Sequence, residues 1–174
     1  MEPEYIFIPL AIILSIYVLL VVLDILLVAY LTKVVRRISN SINITLSSYY
    51  TQIKKTVELL KQNSFEISED LLAKLEYIEP NSFDVMCSET YYKAKSNLSY
   101  LKDSLFSLIS SNEEISNSTE FCDIKRNISE LLLAYRSLVI KYNTEVVAYN
   151  YWIKFLPSRY IHKIFKKKTL DLAS

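Results

Sequence analysis

The chain has 174 residues and a formal net charge of +1, enough for one domain beside a membrane segment and too balanced to attract nucleic acid by a global field. It contains no glycine, one histidine and two cysteines. The P-loop, the dinucleotide fingerprint and the glycine-flanked nucleophile elbow are therefore excluded, and neither a Cys/His zinc set nor a two-histidine di-iron site can be assembled.

Residues 6–31 form an almost unbroken apolar run, longer than the roughly 20 residues a helix needs to cross a bilayer. Glu2 and Glu4 precede it, while Lys33, Arg36 and Arg37 follow. Positive charge stays on the cytoplasmic side, so the sequence predicts an N-terminus outside and a C-terminal part inside the cell. The basic leader and small-residue cleavage site of a signal peptide are missing, so the span reads as a permanent anchor. Asp24 is the one carboxylate within the run. It reads either as a helix-helix or proton-linked group, or as an acid that is protonated or reaches water near the boundary.

Beyond the span the pattern turns amphipathic. Leu31, Val35, Ile38, Ile42, Leu46, Tyr49, Ile53, Val57 and Leu60 recur at steps of three and four, one face of a long helix with no breaker between it and the anchor. Gln62 to Ser64 loosen the pattern. Ser68 is the expected N-cap of a short helix with Leu71, Leu72, Leu75 and Ile78 on one face, ended or kinked by Pro80. Asn81 or Ser82 is the expected cap of the next helix, which carries Phe83, Cys87, Tyr91, Ala94, Leu98, Leu101, Leu105 and Leu108. Ser110 to Thr119 reads as a loop. A last long helix carries Phe121, Ile124, Ile128, Leu131, Tyr135, Leu138, Tyr142, Val146, Tyr149 and Ile153, with Pro157 as its stop. No segment alternates with period two.

The expected fold class is all-α: an N-terminal transmembrane helix continuing into an antiparallel helical bundle. The expected parts are an outer N-terminus (1–5), the span (6–31), the bundle (32–157) and a basic C-terminal tail (158–174). Cys87 and Cys122 read as free thiols packed as small apolar groups in a cytoplasmic domain. Glu66, Glu69 and Asp70 read as a solvated helix start. Four Asn-x-Ser/Thr triplets, at Asn43, Asn97, Asn117 and Asn127, are silent in this topology. No catalytic, cofactor-binding or metal-binding residue is expected.

Two features stand out as candidate contact sites. Tyr142-Asn143 and Tyr149-Asn150 lie seven residues apart, hence on one side of the last helix. They suit a bundle seam in which asparagine fixes register, or a contact surface for a protein partner or a second copy. In the tail, Lys163, Lys166, Lys167 and Lys168, with Arg159 and His162, are interleaved with Ile161, Ile164 and Phe165. This suits a short basic amphipathic helix on anionic lipid, or a solvated tail whose apolar residues fold back on the bundle. His162 reads as an ordinary exposed side chain. With few cations and few stacking aromatics, nucleic acid is not an expected partner.

The C-terminal stretch resembles the signature of LemA family proteins. Tyr142, Asn143, Val146, Tyr149, Asn150, Ile153, Pro157 and Ser158 match it, with Ile161, Ile164 and Phe165 in the apolar tail. Leu156 and Arg159 stand where the family usually has phenylalanine and asparagine. Leu46, Ile53, Val57, Glu58 and Lys61 are similar to the family's first helix after the span. The resemblance implies a bacterial membrane protein with a short outer N-terminus, one span and an antiparallel helical domain. It brings no catalytic residues.

Overall fold

The computed structural model describes residues 4–78, 83–86, 88–155 and 159–173, all in helices, turns or irregular segments. Among the described residues six helices follow in order: α1 (Glu4–Gln62), α2 (Glu69–Glu76), α3 (Ser88–Ser110), α4 (Glu113–Ser116), α5 (Thr119–Trp152) and α6 (Arg159–Ile164). The chain forms two compact units. One joins Met1–Arg36 with Asn143–Leu172; the other comprises Arg37–Tyr142 and Ala173–Ser174.

In the first unit, α1 opens with a stretch long and apolar enough to cross a membrane. Its side chains from Phe7 to Leu20 are exposed. Burial starts at Val21 and recurs at Asp24, Val28, Leu31 and Val35, steps of three and four that mark one helix face. Val28 and Leu31 pack against Tyr149 and Ile153, with Leu27, Ala148, Trp152 and Leu170 around them. The end of α5 thus runs back along α1, and α6 places His162 against Asp24.

In the second unit the rest of α1 buries Ile42, Leu46, Tyr49, Ile53, Val57 and Leu60, the face expected from periodicity. α1 ends in a Schellman turn. Phe65 N–H donates to the Leu60 carbonyl at 3.0 Å and Ser64 N–H to that of Lys61 at 3.1 Å, with Ser64 left-handed at φ 59°. Glycine normally takes this position. A glycine-free chain gives it to serine, at a cost of about 1 kcal/mol. Ser68 does occupy the α2 N-cap in extended backbone, but its side chain makes no cap bond; its carbonyl accepts from Leu71 and Leu72 instead. Leu71, Leu75 and Ile78 are buried, and Tyr50 Oη donates to the Leu75 carbonyl at 3.1 Å. α2 ends at Glu76; Pro80, Asn81 and Ser82 lie outside the described residues.

The third expected helix begins later than its apolar pattern suggests. Phe83 and Val85 are buried in a turn before α3, which opens at Ser88. The Asp84 carboxylate explains this. It accepts from Met86 N–H and from the Ser39 hydroxyl, both at 2.9 Å, an Asx turn tied to α1 that competes with helix. Within α3, Tyr91, Ala94, Leu98, Leu101, Leu105 and Ile109 are buried, while Leu108 is half-buried. The expected loop from Ser110 to Thr119 contains the single turn α4, because the Asn112 side chain accepts from Glu114 and Ile115 N–H at 3.0 and 3.2 Å. Ser118 Oγ then accepts from Phe121 N–H at 3.2 Å and starts α5. α3 and α5 run antiparallel: the Tyr91 and Tyr135 hydroxyls meet at one end, and Phe106 and Phe121 rings at 5.1 Å at the other.

Candidate functional site

The first unit gathers the polar groups of greatest interest. Asp24 sits on the buried face of α1, and His162 lies mid-way along α6. Their side chains meet, His162 Nε2 to Asp24 Oδ2 at 2.7 Å, each only 4% exposed. This corrects the expectation that His162 is an ordinary exposed residue. It also places Asp24 in a specific contact rather than at open water. Neither residue alone carried a cue to the other, since they are 138 positions apart. The available signal was that the one acid in the apolar run and the one histidine of the chain need partners once buried.

Asn150 holds the tail a second time. Its Nδ2 donates to the Leu170 carbonyl at 2.8 Å, and its Oδ1 accepts from Leu170 N–H at 2.9 Å. An asparagine amide that pairs with both groups of one backbone residue acts as a clamp. Its partner is thus the returning tail, not a facing helix. Asn143 is half-buried. Tyr142 is buried in the second unit and Tyr149 in the first, at 1% and 4% exposure, so neither ring offers a surface to a partner. Burial raises the Tyr149 phenol above its usual pKa.

Between the two ties the chain reverses. α6 closes with a second Schellman turn: Lys167 N–H donates to the His162 carbonyl at 2.9 Å and Lys166 N–H to that of Lys163 at 3.1 Å. Lys166 is left-handed at φ 53°, again where glycine is usual. This turn folds Lys166, Lys167 and Lys168 back beside α6. With Lys154, Arg159 and Lys163 they line an open recess of about 510 Å³. No acidic residue occurs between Glu145 and Asp171, and among the described residues none of the six cations is ion-paired. Tyr160, Ile164 and Phe165 stand well exposed around them. All four sequence-predicted lysines, 163, 166, 167 and 168, are therefore brought together.

The remaining sequence candidates are scattered. Cys122 is a free thiol, exposed on α5 rather than packed as an apolar group; Cys87 lies outside the described residues. Asp70 pairs with Lys74 on the surface of α2. Among the described residues no three His, Cys, Asp or Glu side chains converge as metal ligands. Pro157 and Ser158 lie outside the described residues; α5 ends before them, at Trp152. Comparisons with protein-family models, with curated proteins and with solved structures find no match.

Proposed function

We propose that this chain is a LemA-like, single-pass bacterial membrane protein that acts without catalysis, as a scaffold whose cytoplasmic base grips anionic lipid. The observation that carries this reading is the return of the basic tail to the anchor helix, through Asp24–His162 and Asn150–Leu170. The tail lysines then belong to the same end of the anchor as Lys33 and Arg36. That concentration of cations on one side favours an N-terminus outside and a C-terminal part in the cytoplasm.

The same contact refines the span. Lysine in hydrocarbon costs about 3 kcal/mol, so α6 and its neighbours belong in the headgroup region. The bilayer boundary then falls near Asp24 rather than Leu31. The stretch from Glu4 to Leu23 rises about 30 Å as a helix, one hydrocarbon thickness. Exposed Tyr30, Tyr160 and Phe165 suit the aromatic belt at that depth.

Two measurements test the reading. An impermeant thiol reagent should label exposed Cys122 in broken membranes but not in intact cells; labelling of intact cells overturns the orientation. An environment-sensitive dye on Phe165→Cys, with Cys87 and Cys122 changed to serine, should shift to the blue in anionic nanodiscs relative to neutral ones. An unshifted dye overturns the lipid grip.

A second reading, a scaffold for a helical partner, is favoured by the outer face of α5. Leu133 and Ile140 stand exposed there, two turns apart. Anchors in one membrane hold two copies parallel, and parallel helices meet at identical positions. Ile140→Cys should then form a homotypic cross-link; its absence removes self-association.

A further inference from the structure

We propose that the recess lined by Lys154, Arg159, Lys163, Lys166, Lys167 and Lys168 is a binding site for a phosphomonoester, presented as the headgroup of an anionic membrane lipid. The inference rests on the lipid-facing reading above and adds a defined site to it.

Three observations point this way. First, the charge is gathered rather than dispersed. Among the described residues the lining holds six cations and no acid, and the sequence offers no carboxylate from Val146 to Leu170. Like charges repel, so their convergence needs a cause in the chain. Second, the chain supplies that cause three times over: a left-handed lysine at the Schellman turn, a two-bond asparagine clamp and a buried histidine–aspartate contact. Third, the recess has the size and chemistry of a headgroup site. Its volume of about 510 Å³ is within the range of small-ligand pockets. Lysines act as point charges for phosphate, and Arg159 adds a planar fork that takes two oxygens at once. Tyr160 and Thr169 also line it.

A phosphomonoester gains more here than a diester does. Near neutral pH it carries between one and two negative charges on three terminal oxygens, while a diester carries one on two. Six cations around one group reward the higher charge density. A lipid source is favoured over a free phosphate because the recess is tied to Asp24 of the anchor, and because Tyr160, Ile164 and Phe165 present an apolar edge beside it.

The test uses the full chain in nanodiscs and its single tryptophan, Trp152, which is half-buried and adjacent to lining residues Ile153 and Lys154. Discs of phosphatidylcholine are compared with discs containing phosphatidic acid, and with discs containing phosphatidylglycerol at matched charge. Phosphatidic acid should give a saturable change in Trp152 emission, at least ten-fold tighter than phosphatidylglycerol. Lys163→Gln with Lys167→Gln should abolish that preference. Lys125→Gln with Lys141→Gln removes the same charge from exposed positions on α5 outside the recess and should preserve it. Glycerol phosphate added to neutral discs should produce the change only at concentrations about a hundred-fold higher.

Equal response to the two charge-matched lipids overturns the site while leaving the general lipid grip intact. No response to either lipid overturns both. Equal loss in both variant pairs reduces the site to diffuse attraction and overturns it. Tight binding of glycerol phosphate to protein in neutral discs overturns the lipid source.

Discussion

Breaking the Asp24–His162 contact should release the tail. Both side chains are almost fully covered and 2.7 Å apart, so His162→Leu leaves the Asp24 carboxylate buried against an apolar group that cannot bond to it. Removing one partner of a buried pair typically costs about 3 kcal/mol. α6 has six residues and is too short to persist as a helix away from its packing surface, so undocking and unfolding of α6 are the same event. A cost of about 3 kcal/mol, at 1.4 kcal/mol per factor of ten, raises the undocked population roughly a hundred-fold. Hydrogen exchange read by mass spectrometry in nanodiscs measures this directly. Amides of Lys166 and Lys167, whose acceptors lie in α6, should exchange about a hundred-fold faster in His162→Leu, with peptides from the middle of α5 unchanged. The double variant Asp24→Leu, His162→Leu replaces both partners by apolar groups and should return most of the protection. Wild-type exchange in the single variant, or no recovery in the double, would refute the reasoning.

The second tie gives a smaller effect. Asn150→Leu removes two bonds to Leu170 and should cost about 2 kcal/mol, seen as faster exchange at Leu170 with α6 protected by His162. Ser64→Gly should stabilise the chain by about 1 kcal/mol in denaturant unfolding, because glycine reaches a positive φ without the Cβ penalty that serine bears. Alkaline pH should destabilise the fold. Burial raises the Tyr49, Tyr91 and Tyr149 phenols above their usual range, Tyr91 being further held by its bond to Tyr135. The unfolded tyrosines lose protons from about pH 10, so the folded state binds more protons above that pH, and stability falls as pH rises. Each such tyrosine should contribute a slope of about 1.4 kcal/mol per pH unit, with no effect below pH 9. Tyr91→Phe should flatten the alkaline limb in a pH series of melting curves; an unchanged slope would remove Tyr91 from it.

Local pattern was sufficient for much of this molecule. The apolar run, the α1 face from Leu31 to Leu60 and the α5 stripe from Phe121 to Ile153 repeat every three or four residues, and burial follows that repeat because a helix turns each such residue to one side. The end of α1 near Ser64 was legible for a similar reason, as polar residues there interrupt the face. The start of α3 was not. Phe83 continues the apolar spacing, yet Asp84 bonds to Ser39, 45 residues away, and that tertiary contact outweighs the weak helical preference of a few residues.

The tail shows the same division more sharply. Its lysines were visible in the sequence as a charge run with apolar neighbours. That they converge in one recess follows from the left-handed turn at Lys166, the Asn150 clamp and the Asp24–His162 contact. Periodicity reports which face of a helix is covered, but carries no term for what covers it. The partner of Asp24 depended on the direction in which α5 returned along α1, a property of the packed chain that no window of neighbouring residues contains.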